Sequence, residues 1–433
     1  MIQSDKFESA VRSYCRGFPA VFARARGARL WDTEGREYID FFAGAGALNY
    51  GHNPPEMKER LVEYLQGDGV VHGLDMATAA KERLLERFHS VILEPRGMPH
   101  KILFPGPTGT NAVEAAIKLA RLVTGRTSIM TFTNAFHGMT LGSLALTGNA
   151  TKRAGAGVSL GDVTRMPYDG YLGPDVDTLD YVERCLDDAG SGVDVPAAAI
   201  VETVQAEGGL KAASDSWLRR LAEICQSHGI LLIVDDIQVG CGRTGPFFSF
   251  ESAGIDPDIV CLSKSVGGFG LPLALVLVKP EYDRFEPGQH NGTFRGNNLA
   301  FVTACEALKY WGTDAFSKSI RAKADIVTAF LNDLVRQVPE LGSPEQRVEV
   351  RGRGLLQGVA VAEDGLAEDI CRAAFRRGLI METSGPRSEV FKILPPLVID
   401  EDRLKKGLGI IRRAVGDALA KRGAAAGAAS QVA

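Results

Sequence analysis

Along the chain, short and almost unbroken apolar runs alternate with longer amphipathic stretches. Residues 230–234 (ILLIV) and 259–262 (IVCL) are aliphatic throughout apart from Cys261; Asp235 and Asp236 follow the first run, and Lys264 closes the second. This is how strands buried on both faces of a parallel sheet read. Shorter runs of the same kind at 101–104, 128–132 and 198–201 predict further strands, the last ending in Glu202 and, beyond it, Glu207. Residues 215–227 have helical spacing, with Ser214 as N-cap and Gly229 as terminator, which makes a right-handed strand-helix-strand unit with the central run. Another predicted helix opens directly from the turn PGPTGTNAVEAA, with Thr108 or Thr110 as its N-cap. Glu34-Gly35 marks a hairpin, and FAGAGALNYGHNPP reads as an irregular segment whose backbone can approach a ligand closely.

After about residue 310 the pattern changes to helices with few strands: a strand pair around VEVRGRGLLQGVAV, a helix to Arg377, a short strand in VFKILPPLVI and a closing helix from Glu401. The expected architecture is α/β, a large domain with a mainly parallel sheet sandwiched by helices, plus a smaller α+β domain. Residues 423–433 lack large apolar side chains and are expected to form a disordered tail.

Composition narrows the function classes. At 433 residues, with 45% hydrophobic and 24% charged, the chain can bury a sizeable core, and a net charge of −4 carries no basic surface for nucleic acid. No apolar run approaches the length of a membrane span, and the charged N-terminus lacks a signal core, so a cytoplasmic protein is expected. The seven cysteines contain no CxxC pair, which fits reduced thiols and gives no metal site.

Ligands of open α/β sheets bind at the carboxyl ends of the strands, so Asp235, Asp236 and Lys264 are expected to face one crevice. A lysine amine can attach pyridoxal phosphate, and that cofactor needs an acid on its ring nitrogen; Lys264 and Asp235 have the types for these two jobs. The competing reading is a surface lysine and a solvated acidic pair. The turn at 105–110 adds a helix N-terminus able to cup a phosphate, and Phe136 and His137 just past a strand end could stack on a flat ring. Each has an ordinary structural alternative, a plain helix corner or a core aromatic.

Together, LLIVDDIQVGCGRTGPF, CLSKS, PTGTNAVEAAIKLAR, FHG, ETVQAEGG and NGTFRGNNLA resemble the class III aminotransferases of pyridoxal-phosphate fold type I, over about residues 15–422. The resemblance implies that Lys264 carries pyridoxal 5'-phosphate and that Asp235 holds the ring nitrogen. Gln238 would lie near the phenolic oxygen, Gly109 and Thr110 at the phosphate, Phe136 and His137 against the ring, and Glu202 on the floor of the site. Thr293 would reach the phosphate of a neighbouring subunit, which implies at least a homodimer. Residues 1–60 and 311–422 would form the small domain around a large cofactor-binding domain at 61–310. DGVVHGLDMATAAK, AFHGMTLGSLALTGNA and MPYDGY resemble the branch that moves glutamate's amino group to aspartate 4-semialdehyde, giving diaminobutyrate for ectoine synthesis. Related enzymes of siderophore or antibiotic assembly, other ω-aminotransferases acting on ornithine or 4-aminobutyrate, and a non-catalytic cofactor-binding protein are the alternatives. The chain departs from the class at Lys392, where many members have an arginine for glutamate's α-carboxylate. Either Lys392 pairs with Glu207 as a weaker gate, or it points to solvent and Arg243 or Arg387 binds the carboxylate.

Overall fold

The computed structural model describes residues 3–343 and 348–430. Its centre is a seven-stranded sheet: β1 (Lys101–Leu103), β2 (Ile129–Phe132), β3 (Val163–Met166), β4 (Ala198–Val201), β5 (Leu231–Asp235), β6 (Ile259–Leu262) and β7 (Leu275–Val278). The spatial order is β1-β7-β6-β5-β4-β2-β3, with β7 antiparallel to both neighbours and the other strands running one way.

The unbroken apolar runs have a direct cause. In β5, Leu231 and Ile233 pack on the side of helix Gly109–Thr124 with its buried Ala112, Val113, Ala116 and Ile117, while Leu232 and Val234 pack with Trp217, Leu218 and Leu221 of helix Asp215–Ser227. Since strand side chains alternate between faces, a strand covered on both must be apolar at every position, each fully buried aliphatic contributing about 1.5–3 kcal/mol. Helix Asp215–Ser227 begins where Ser214 accepts from Trp217 N, and Gly229 follows it at φ +61. Of the two threonines that could cap Gly109–Thr124, Thr108 does so, in a capping box with Asn111.

A second sheet joins Glu349–Arg353, Leu356–Ala360, Val390–Ile393 and Glu382–Ser384. Near the N-terminus Phe22–Arg26, Arg29–Asp32 and Glu37–Asp40 form an antiparallel set, extended by Leu379–Ile380 in parallel with the last. The closing helix runs from Glu401 to Ser430, so residues 423–430, expected to be disordered, prolong it. Alanine is the best helix former, and a run of it can continue a helix without any packing partner. Residues 431–433 of that expected tail lie outside the described residues. Among the described residues no helix is long and apolar enough to cross a membrane.

Candidate active site

The carboxyl ends of β2, β4, β5 and β6 deliver the predicted residues to one place. Asp235 ends β5, almost fully buried; its Oδ2 lies 2.7 Å from His137 Nδ1, and its Oδ1 accepts from the Ile237 amide at 3.2 Å. His137, five residues past β2, has no exposed side-chain surface. It therefore holds Asp235 and offers no face to a ring, contrary to the expected stacking role. A buried carboxylate without a partner is costly, and an imidazole already inside the fold meets that need. Phe136 remains half-buried, with the Lys152 ammonium 4.1 Å from its ring centroid.

Glu202 follows β4 and accepts from the Phe136 amide at 2.9 Å. Burial, reinforced by the charge of Asp235, pushes its carboxyl well above the usual range. Asp236 turns the other way, toward the Ser249 amide at 3.1 Å, and burial raises its carboxyl to about 7. Lys264 lies two residues past β6 in the left-handed region at φ +52, and its amine has no hydrogen-bond partner among the described residues. Burial lowers that amine to about 8, against the opposing pull of Glu207, with Lys392 lowering it further. A primary amine half neutral near pH 8 is a competent nucleophile and base.

The turn before helix Gly109–Thr124 packs onto the same corner. A Cβ at Gly109 would sit 3.0 Å from Ile237 Cγ2, a tight contact that glycine relieves where this turn meets the loop after β5. The Gly109 and Thr110 amides have no acceptor among the described residues, leaving two donors at a helix N-terminus. Thr110 Oγ1 lies 2.7 Å from Thr140 Oγ1 and 2.5 Å from Ser143 Oγ. Gln238 donates to Ala45 O at 2.8 Å, from the segment where Ala43, Gly44, Ala45 and Gly46 all have positive φ, and to Glu207 Oε1 at 3.3 Å. Thr293 is exposed and forms no hydrogen bond among the described residues.

Lys392 carries no exposed surface. Its Nζ is 3.0 Å from Glu207 Oε1 and 2.8 Å from Glu382 Oε1. Arg243 is also fully buried, but it donates to Leu355 O, Pro395 O and Asn49 Oδ1 and ties the second sheet to the large one. Arg387 is exposed, 3.8 Å from Asp364. Of the three candidate cations, only Lys392 lies close enough to shift the Lys264 amine by its charge. The sequence offers only one signal for Glu382, an acid inside the apolar run LIMETS.

The family model Aminotransferase class-III matches residues 12–415. The chain belongs to the class III aminotransferases. Diaminobutyrate–2-oxoglutarate transaminase of Halalkalibacterium halodurans is 59% identical over 411 residues, 95% of this chain and 95% of that protein. The protein of the same name from Bordetella parapertussis is 59% identical over 424 residues, 98% of this chain and 96% of that one. Ornithine aminotransferase of Toxoplasma gondii superposes with a TM-score of 0.83 at 26% identity, covering 97% of this chain and 94% of that one; one of its crystals holds pyridoxal phosphate at partial occupancy. As a class III aminotransferase the chain is an enzyme of fold type I with pyridoxal 5'-phosphate as cofactor. The residues present fit that group: an amine without a hydrogen bond, a buried carboxylate at a strand end and two amide donors without acceptors border one corner.

Proposed function

We propose that this aminotransferase moves the amino group of L-glutamate to L-aspartate 4-semialdehyde, giving 2-oxoglutarate and L-2,4-diaminobutyrate, and that it serves ectoine formation. The observation that carries the reaction is 59% identity, over nearly the whole of both chains, to proteins named diaminobutyrate–2-oxoglutarate transaminase. Removing the terminal amine of diaminobutyrate leaves that semialdehyde, so the two named substrates define the other two.

In this reading Lys264 is the attachment site, Asp235 takes the ring nitrogen, Gly109 and Thr110 the phosphate, and Gln238 the phenolic oxygen. Phe136 covers a ring face, and Glu202 supports the floor. When bound, pyridoxal 5'-phosphate supplies the aldehyde that receives the amino group and the ring that accepts electrons. Lys264 Nζ, freed when substrate enters, takes the proton from the substrate's reacting carbon and returns it one position along. His137 keeps Asp235 oriented, and Glu202 holds the Phe136 amide beside it. Lys392 binds the α-carboxylate of glutamate in place of Glu207, which returns to Lys392 when the substrate bears no carboxylate on its reacting carbon, as with aspartate semialdehyde.

Residues 61–310 are read as the cofactor domain, and 1–60 with 311–422 as the small domain; the pairing of Glu37–Asp40 with Leu379–Ile380 supports this. A homodimer completes the site with Thr293 of a second copy, which fits its exposure and the exposed Val70, Val71, Leu74, Met76 and Phe294. The unpaired state of all seven cysteines supports a reducing, cytoplasmic setting.

The test compares amino acceptors in the purified holoenzyme, with glutamate as donor. Aspartate semialdehyde is expected to exceed succinate semialdehyde and N-acetylglutamate semialdehyde in kcat/KM by about a hundredfold. Comparable values for all three would leave a general ω-aminotransferase and remove the diaminobutyrate assignment.

A further inference from the structure

Two carboxylates share the single Lys392 ammonium, and they stand on different kinds of backbone. Glu382 begins the strand Glu382–Ser384, whose antiparallel register with Val390–Ile393 sets it directly opposite Lys392. Its place is fixed by the ladder on which Lys392 itself sits, and Gly358 pairs with Lys392 from the other side. Glu207 stands in the turn after Val204–Gln205, where Gly209 at φ +102 and Leu210 at φ +58 reverse the chain. Burial raises the Glu382 carboxyl, and Glu207 raises it further against the attraction of Lys392. Glu207 is held low instead, because Lys392 and Lys264 together outweigh its burial.

A lysine ammonium is a compact charge on a flexible stem and lacks the planar fork by which an arginine aligns itself with a carboxylate. Once a substrate anion displaces Glu207, such an ammonium needs a second anchor to stay aimed at the site. We propose that Glu382 is that anchor, a positioning residue that holds Lys392 through the cross-strand pair while a carboxylate of glutamate or 2-oxoglutarate takes the place of Glu207. The inference rests on the reading of Lys392 as the carboxylate-binding cation. Glu207 then leaves and Glu382 stays, so the ammonium keeps two carboxylate partners before and after substrate enters. A substrate without a carboxylate leaves Glu207 where it is and makes no demand on Glu382.

The test uses the holoenzyme and reads the binding of glutarate, an unreactive dicarboxylate, by calorimetry. Alongside it come KM and kcat for glutamate and for 1,3-diaminopropane, which is diaminobutyrate without its carboxylate. Glu382→Ala is expected to weaken glutarate binding about tenfold and to raise the KM ratio of glutamate to diaminopropane by a similar factor, acting on KM and not on kcat. Glu382→Gln, which keeps the shape without the charge, should shift both in the same direction by less. Combining Glu382→Ala with Lys392→Arg should restore glutarate binding to the level of Lys392→Arg alone, since the fork of an arginine aligns itself. Unchanged glutarate binding in both Glu382 variants, with binding lost in Lys392→Ala, would overturn the anchor and leave the Lys392 reading standing. Unchanged binding in Lys392→Ala would overturn that reading instead. Equal losses for both substrates, not rescued by the arginine, would make Glu382 merely structural and overturn the proposal.

Discussion

Lys264 and Asp235 are fitted to their proposed roles by opposite uses of burial. The lysine occupies a backbone conformation that costs a non-glycine residue about 1 kcal/mol or more, and its amine is left without a hydrogen bond, so burial outweighs the nearby carboxylates and lowers it. A neutral amine is the reactive form, and a group titrating at about 8 loses that form as pH falls below 8. The rate at which the cofactor-free protein captures pyridoxal phosphate is therefore expected to rise with pH up to about 8 and then level, by absorbance, and to vanish in Lys264→Ala. A rate still climbing toward the usual lysine range would show that the amine is not desolvated. Asp235, by contrast, is tied down by His137 and the Ile237 amide. Asp235→Asn should keep the fold by circular dichroism and lose about a hundredfold or more in kcat, because the amide cannot hold a ring proton. Near-normal turnover would mean that another group serves the ring nitrogen. Both residues were legible in the sequence, since a charge at the end of an apolar run has one place to go. The job of His137 was not, because its motif gives its address and not the direction of its ring.

At the scale of elements, the corner between the turn at 105–110 and the loop after β2 depends on close approach. Gly138 has φ +135, and a Cβ there would collide with Thr110 Oγ1 and Ser143 Oγ. Gly138→Ala should therefore displace the Thr110 turn and weaken cofactor binding about tenfold by equilibrium dialysis, whereas Gly155→Ala, whose Cβ would meet only Lys152 O at 3.6 Å, should not. Equal affinity in the two variants would separate this turn from the phosphate. Ser214→Ala should cost about 1 kcal/mol through loss of the bond to Trp217 N, seen as a lower urea midpoint with kcat unchanged. The strands and their caps were readable because period and punctuation are local properties. Residues 423–430 depart from the expected disorder for the same reason: without apolar side chains they promise no packing, yet alanine favours continuing the helix.

At the scale of the molecule, exposed Phe294, 68% accessible and in ring contact with His72, lies one residue from Thr293 in a loop that the single chain leaves uncovered. In the proposed dimer this apolar edge is buried, so Phe294→Glu should shift sedimentation toward monomer and weaken cofactor binding in parallel. A variant that stays dimeric with full affinity would place the interface elsewhere. The sequence by itself determined the α/β class, the strand ends and the chemical types gathered there, because binary patterning and turn residues act over a few neighbours in the chain. Only the tertiary structure decided that Lys392 is buried between Glu207 and Glu382, that Arg243 binds three oxygen atoms and so is no gate, and that His137 holds an aspartate. Those contacts join residues 98 to 194 positions apart, or pair strands whose register no local pattern encodes, so they exist only once the sheets have closed on one another.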